Sequence, residues 1–414
     1  MKDAPYRICL FHPMDARGSK LGGIETHVRL ILSEHPADFR ILFIGLDEKG
    51  DCRLGQKIEL DIAGRRIDFI PVGNISGETI NLASKTIAGS TTLHYLLGVL
   101  RYLHRIRAEI GQNPASADLQ RYEFALIPKL LNIPSILMVH NEGRKEDAMD
   151  SLLKRYWFIQ NVNEWTAMRA ANHIFGVNPN IAKRINVVYP FAASKTEVLS
   201  VSIDTKRFVA QPFDCSDEIF RIVFAGRLDA FKDPPLMFSV LHKLHARLGG
   251  KLEFHYVGST DPYRYPEFGL VEHFTIQHGP KPSAQVAEIM ARCHAGILTS
   301  HFEGMPCYLL EMLASGRPVA AIRLPQFDPL IIEAVSGSLI ERSAPPDLCR
   351  AALVEAFVEL WDSIRKGAID PARLHRLVEP FSVEKQMMRL FARHRVLQQG
   401  QKWVPQEAHA PATH

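Results

Sequence analysis

Glu303 and Glu311, with seven residues between them, lie in the stretch Ser300-His-Phe-Glu-Gly-Met-Pro-Cys-Tyr-Leu-Leu-Glu-Met-Leu-Ala-Ser-Gly-Arg-Pro318. The apolar run Ala295-Gly-Ile-Leu-Thr299 ahead of it predicts a buried strand, and Pro306 suits a first helical turn, where a missing N–H costs nothing. A helix is therefore expected from near Met305 to Gly316, a residue suited to a left-handed cap, with Pro318 opening the next strand, Val319-Ala-Ala-Ile322. Leu309, Leu310, Met312, Leu313 and Ala314 make this helix apolar on almost every side. A carboxylate there, Glu311, is costly unless something hydrogen-bonds it, and sugar hydroxyls at the C-terminal edge of a parallel sheet would do so. Glu303 falls in the loop before the helix, where free N–H groups and the positive dipole end favour anions. The plainer reading is that Glu303 caps the helix and Glu311 pairs with a basic residue.

A second group follows another apolar run. Ala225-Gly-Arg-Leu-Asp-Ala-Phe-Lys-Asp233 sets Arg227 and Lys232 in a loop that leads into a helix. Arg227 can grip phosphate oxygens bidentately, and Lys232 can act as a compact point charge. Cations in a loop are also commonly just solvated. What favours chemistry is position, because both would sit at strand ends beside Glu303, placing cations for a diphosphate and carboxylates for hydroxyls in one crevice. A third corner, weak by itself, is Gly22-Gly23 between the strand Arg7-Ile-Cys-Leu-Phe11 and the helical run from Ile24 to Leu32.

The elements that must hold these groups alternate between strand and helix. Strands are predicted at Phe39 to Gly45, Ile67 to Val72, Asp118 to Arg121, Ser135 to Val139 and His173 to Val177, and helices at Thr91 to Ile110, Phe124 to Leu131 and Met149 to Ala171. After a polar, proline-containing segment through Asp217 the alternation restarts, with strands at Ile219 to Phe224, Leu252 to Val257 and Phe274 to Gln277 and helices at Pro234 to Arg247 and Ser283 to Arg292. This pattern predicts an α/β protein of two Rossmann-like, doubly wound domains, residues 1–210 and 218–380. A C-terminal helix over 381–397 would pack back toward the first domain, and 398–414 has a tail's composition.

A chain of 414 residues fits two domains or more, and 46% hydrophobic with 23% charged residues is ordinary for a soluble globular protein. The formal charge of +4 is mild and gives no reason to expect nucleic acid. Six scattered cysteines without a Cys-x-x-Cys pair suit reduced thiols, and no metal site or disulfide frame is read. The first residues lack a signal peptide's apolar region and no segment is long enough to span a bilayer, so a cytoplasmic location is expected. The helix from Thr91 carries Leu93, Leu96, Leu97, Leu100, Leu103 and Ile106 with Arg101, Arg105 and Arg107. It reads as an amphipathic core helix with a solvated basic face, or as one lying on an anionic membrane surface.

Taken together these motifs resemble the GT-B glycosyltransferases of the large retaining family numbered four (glycosyl transferases group 1). The family's Gly-Arg-Leu with a following lysine is matched by Gly226-Arg-Leu228 and Lys232, its Glu-x7-Glu by Glu303 and Glu311, and its first-domain glycines by Gly22-Gly23. In element order the resemblance runs from Arg7 to Leu397, strongest from Ile222 to Ile322. It implies that Arg227 and Lys232 hold the donor diphosphate, that Glu311 binds the ribose hydroxyls and that Glu303 faces the donor sugar, with Gly22 and Gly23 close to the donor phosphates. Retention of anomeric configuration, a UDP- or GDP-hexose donor with no further cofactor, and a saccharide or lipid-linked acceptor are likewise implied. The chain has no Asp-x-Asp, in keeping with the family's metal independence.

The first domain departs from the family pattern. Where many relatives carry a histidine after the strand near Asp118, this chain has Arg121-Tyr-Glu123, so either Arg121 or Glu123 takes that place, while His140 fits the family's second histidine position. Val201-Ser-Ile-Asp204 replaces the usual Asn-Gly-Val-Asp before the hinge. Those departures leave room for a non-catalytic nucleotide-sugar-binding homologue. A dinucleotide-dependent oxidoreductase is a remote third reading, since the Gly22-Gly23 loop lacks Gly-x-Gly-x-x-Gly.

Overall fold

The computed structural model describes residues 6–400 apart from 19, 21, 76–89, 112, 142–156, 343 and 344. In the first half, apolar runs form β1 (Tyr6–Phe11), β2 (Phe39–Asp47), β3 (Ile58–Ile62), β4 (Arg65–Asn74), β5 (Ala115–Leu119), β6 (Ser135–Val139), β7 (His173–Gly176) and β8 (Thr196–Val198). They build one sheet in the order β3-β4-β2-β1-β5-β6-β7-β8. Every neighbouring pair is parallel except the edge pair β3–β4. The helices of this half are α1 (Gly23–Glu34), α2 (Thr91–Arg101), α3 (Leu103–Ile110), α4 (Ile127–Leu131), α5 (Trp157–Ala170) and α6 (Pro179–Val188).

The second half forms a wholly parallel sheet, β11-β10-β9-β12-β13-β14, from β9 (Phe220–Ala225), β10 (Leu252–Val257), β11 (Thr275–Gln277), β12 (Ala295–Leu298), β13 (Val319–Ile322) and β14 (Gly337–Ile340). Its helices are α7 (Pro234–Arg247), α8 (Ser283–Arg292), α9 (Cys307–Ala314), α10 (Pro346–Arg365) and α11 (Pro371–Val378). Strands buried on both faces, as β12 and β13 are, leave no alternation for solvent. Helix α12 (Val383–Gln398) then returns to the first sheet, setting Phe391 4.8 Å from Phe39 and pairing Arg395 with Asp38 and Arg393 with Glu197.

The chain thus crosses between the sheets twice, and the crossings touch: Ile203 and Ser382 form a parallel bridge. Arg317, just beyond α9, is completely buried and donates to the carbonyls of Gln211 and Pro212, which fastens the outgoing crossing to the second sheet.

Several boundaries differ from the sequence reading. The helix expected over 91–110 breaks at Tyr102, whose φ of −103° and ψ of 12° leave the helical range. Register against β1 pairs Arg7 with Ala115 and Phe11 with Leu119, so β5 ends before Gln120 and the strand expected at Asp118–Arg121 is displaced toward the N-terminus. A 3-10 turn, Tyr122–Phe124, takes the start of the helix expected from Phe124. Pro306 is the N-cap of α9, so that helix begins at Cys307 rather than near Met305. The start of the helix expected from Met149 lies outside the described residues. Short edge strands β3, β8 and β14 and helices α6, α10 and α11 are additional to the expected elements.

Candidate active site

In each sheet the chain runs outward from one strand and then resumes on its other side. The resulting crevices lie at the C-terminal ends of β9 and β12 in the second sheet and of β1 and β5 in the first. Ligands of open α/β sheets bind at such reversals, where diverging loops leave space and helix N-termini point inward.

In the second sheet, the loop after β9 carries Gly226, Arg227 and Lys232 and the loop after β12 carries Glu303. The loops are fastened together: Thr299 Oγ1 donates to the Lys232 carbonyl at 2.7 Å, the His301 N–H donates to the Phe231 carbonyl at 2.8 Å, and the Phe231 and Phe302 rings stack at 4.8 Å. Lys232 Nζ consequently meets Glu303 Oε1 as an ion pair, which Ser300 Oγ joins by donating to the same oxygen at 2.7 Å. The lysine side chain is 16% exposed and the glutamate 9%, so water screens the pair poorly. Arg227 remains 44% exposed and pairs with Asp229 at 2.9 Å. Glu303 does not cap α9, which has no side-chain cap.

Glu311 lies half-buried on α9, and among the described residues its carboxyl has no hydrogen-bonding or ionic partner. Burial pushes it up to about 7, opposed in part by the charge of Arg207 in the crossing segment. Among the described residues no hydrogen bond or ion pair of the kind expected in the plainer reading reaches the Glu311 carboxyl, and Arg207 acts on it only through its charge.

The first sheet supplies the opposite wall. His12 follows β1, Gln120 and Arg121 follow β5, and His140 follows β6. Glu25, in the first turn of α1, accepts from His12 Nε2 at 3.2 Å and pairs with Lys20 Nζ at 3.2 Å. Burial would raise the Glu25 carboxyl, but the His12 hydrogen bond and the Lys20 charge hold it well below the usual range. Burial pushes His12 down to about 4 and His140 down to about 3, so both imidazoles are neutral at pH 7. Lys20 is also lowered, first by burial and then by the nearby charges of Arg121 and Arg227, which come from opposite walls. Arg121 donates to Thr92 Oγ1 at 3.0 Å, and Glu123 sits half-buried on the following turn.

The two walls touch at glycines. A Cβ on Gly23 would lie 3.5 Å from Cys307 Sγ, so the amino ends of α1 and α9 face each other. A Cβ on Gly22 would fall 2.2 Å from a Glu25 oxygen. Gly304 is tighter still: its Cβ would stand 2.0 Å from the His140 carbonyl oxygen, and its own carbonyl accepts from Asn178 Nδ2 at 2.7 Å. Arg227, Lys232, Glu303 and Glu311 thus lie on second-domain elements that border the cleft, with Gly22, Gly23, Arg121 and His140 on the first-domain elements opposite. Sequence reasoning passed over His12, Lys20, Glu25 and Gln120. The available signal was position, since His12 and Gln120 each directly follow a strand of the first sheet. Among the described residues, Asp47, Asp51 and Cys52 are grouped closely enough for metal ligation, but the Arg17 guanidinium already pairs with both aspartates.

Residues 219–362 match the family model described as glycosyl transferases group 1. A D-inositol 3-phosphate glycosyltransferase of Acidothermus cellulolyticus is 24% identical over 236 residues, 50% of this chain and 51% of that protein. The chain spans about half the length of the curated relatives it matches. Among solved structures, sucrose-phosphate synthase from Thermosynechococcus elongatus aligns with a TM-score of 0.75 at 14% identity, covering 95% of this chain and 99% of that one. Anabaena HepE in complex with UDP and glucose aligns with a TM-score of 0.63 at 13% identity, covering 94% and 98%. Identities this low establish a shared fold, and that fold is GT-B: two Rossmann-like α/β domains facing across a cleft.

Proposed function

We propose that the protein is a retaining, metal-independent glycosyltransferase that moves a hexosyl group from a UDP- or GDP-hexose to an acceptor hydroxyl, in the synthesis of a cell-surface polysaccharide or glycolipid. The observation that carries the reading is the Lys232–Glu303 pair at the β9/β12 reversal, with Arg227 on the same loop as Lys232 and with Glu311 on α9 lacking a hydrogen-bonding partner among the described residues. The family match over residues 219–362 and the UDP and glucose bound in HepE support a nucleotide-sugar donor.

The hard step in such a transfer is departure of the nucleoside diphosphate, which develops negative charge at the oxygen leaving the anomeric carbon. Lys232 and Arg227 stabilise that charge, in the place where other enzymes use a divalent ion. When the diphosphate becomes the partner of Lys232, Glu303 is freed to accept hydrogen bonds from the donor sugar. Glu311 accepts from the ribose hydroxyls and thereby gains the donors it lacks. The donor brings its own leaving group, so no separate cofactor is required. His140, Arg121 and Glu123 approach from the acceptor side. Among the described residues no helix is long and apolar enough to cross a membrane. A lipid-linked acceptor would be met at a peripheral membrane contact through α2 to α4.

Nucleoside diphosphate release measured over a panel of UDP-, GDP- and ADP-hexoses with candidate acceptors tests the reading. One donor should support turnover, and Lys232→Ala and Glu303→Gln should each lower kcat roughly 100- to 1,000-fold while remaining folded. Wild-type turnover in both variants would overturn the assignment of these residues. Nucleotide binding without transfer across the whole panel would point to the non-catalytic homologue instead.

A further inference from the structure

A chain of hydrogen bonds, buried in the middle and part-buried at its ends, runs from the backbone of β1 through α12 to His140. It begins at Arg7, whose N–H donates to Gln398 Oε1 at 3.2 Å and whose carbonyl accepts from Gln398 Nε2 at 2.8 Å. A backbone donor and acceptor together fix which end of the Gln398 amide is which. Gln398 Nε2 also donates to Ser116 Oγ at 2.8 Å, and that hydroxyl shares a hydrogen bond with His394 Nδ1, 2.8 Å away. His394 is fully buried, and its Nε2 lies 3.2 Å from Asp118 Oδ2, a carboxylate oxygen that can only accept, so that nitrogen carries a hydrogen. The Asp118 carboxylate only accepts, and its other oxygen is met by Gln120 Nε2 at 2.5 Å. The remaining Gln120 atom, Oε1, must accept as well, and it lies 2.7 Å from His140 Nε2.

From Asp118 onward each link has one workable polarity, and the polarity ends at the histidine beside Gly304. We infer that α12 positions the cleft histidine: His394, acting through Asp118 and Gln120, holds His140 as its Nε2–H tautomer and reserves Nδ1 as a hydrogen-bond acceptor for a substrate hydroxyl. The role for that hydroxyl rests on the glycosyltransferase reading, whereas the tautomer does not. Burial keeps His140 neutral, helped by His27 and His12, with Glu25 and Arg121 the charged groups nearby. His394, Asp118 and Gln120 are positioning residues, since they act through His140. Without the relay a neutral imidazole divides between two tautomers, and one of them offers a donor where an acceptor is needed.

The experiment uses the full chain with 15N-labelled histidine, reading the tautomer from long-range proton–nitrogen correlations and assigning His140 by its loss in His140→Gln. Wild-type protein should show the Nε2–H pattern. Asp118→Asn keeps the shape but lets the new amide donate to Gln120, which then turns and donates to His140. That variant should switch His140 to Nδ1–H and lose roughly tenfold or more in kcat with the donor KM unchanged. His394→Gln, which can still donate to the carboxylate, should retain the Nε2–H pattern. An Nδ1–H pattern in the wild type, or an unchanged pattern and kcat in folded Asp118→Asn, would overturn the inference. Should Asp118→Asn fail to fold, the wild-type pattern still decides, since Nδ1–H there contradicts the inference. Should no donor be turned over at all, the functional reading falls while the tautomer patterns still test the relay.

Discussion

At the scale of single residues, Glu311 is placed where ionisation is costly and where a bound ribose would relieve the cost. Its folded value near 7 lies above the ordinary 4.5, so between those two pH values the folded protein holds a proton that the unfolded chain has released. The sign follows directly: Glu311 contributes stability fully below about pH 4.5, and that contribution is lost as pH rises through 7. Several buried histidines with lowered values, His12, His27 and His140 among them, slope the opposite way and weaken the fold on acidification. The informative quantity is thus the difference between wild type and Glu311→Gln, in which the histidines cancel. Thermal midpoints taken from pH 5 to 8 should show the wild type losing ground to the variant as pH rises. Added nucleoside diphosphate, by hydrogen-bonding the ionised form, should gain more affinity between pH 6 and pH 8 for the wild type than for the variant, the titration of the ligand's own phosphate being common to both. Parallel midpoint curves would mean that Glu311 is not held protonated by burial.

At the scale of elements, the loop before α9 joins the two domains, and Gly304 is what lets it approach. Gly304→Ala drives a methyl group into the His140 carbonyl, so the loop must back away and give up the hydrogen bond from Asn178. Glu303 is the preceding residue, and a displacement of about 1 Å there is expected to lower kcat/KM roughly 100-fold with little change in thermal midpoint. Gly269→Ala, whose Cβ would meet nothing within 4 Å, serves as the control and should behave as wild type. The strand-loop-helix units of the second domain were legible because each is local: Pro234–Arg247, Ser283–Arg292 and Val319–Ile322 have the bounds that their apolar spacing and flanking prolines suggest. The first-domain wall was not, for a physical reason. His394 and Asp118 are 276 residues apart, and Gln120 reads as the end of a strand until pairing with β1 shows where β5 stops. The break at Tyr102, whose ring lies against Gly55, leaves the leucine spacing unaltered and so has no signal in the periodicity.

At the scale of the whole molecule, the outer face of the first domain carries more apolar surface than a core helix should. Tyr95, Gly98 and Val99 turn inward, whereas Leu93, Leu97 and Leu100 are 38%, 59% and 51% exposed. Leu126, the N-cap of α4, and Leu130 on that helix are 55% and 45% exposed as well, and Arg107 on α3 donates to the Leu130 carbonyl. Exposed Arg101, Arg105, Arg107 and Lys129 border these leucines. Leucines ringed by cations suit an anionic bilayer surface, where each cation is worth about 1 kcal/mol and the apolar side chains enter the headgroup region. The protein should therefore sediment with vesicles containing phosphatidylglycerol and not with purely zwitterionic ones, and about 0.5 M salt should release most of it, because that ionic strength shortens the screening length to a few ångströms. Leu97→Glu/Leu100→Glu should abolish sedimentation while leaving transfer to a water-soluble acceptor intact, since neither residue borders the cleft. If that variant still sediments, the leucines are not the contact; if wild type ignores anionic vesicles at low salt, the face is an ordinary solvated one and the acceptor must be reached from solution.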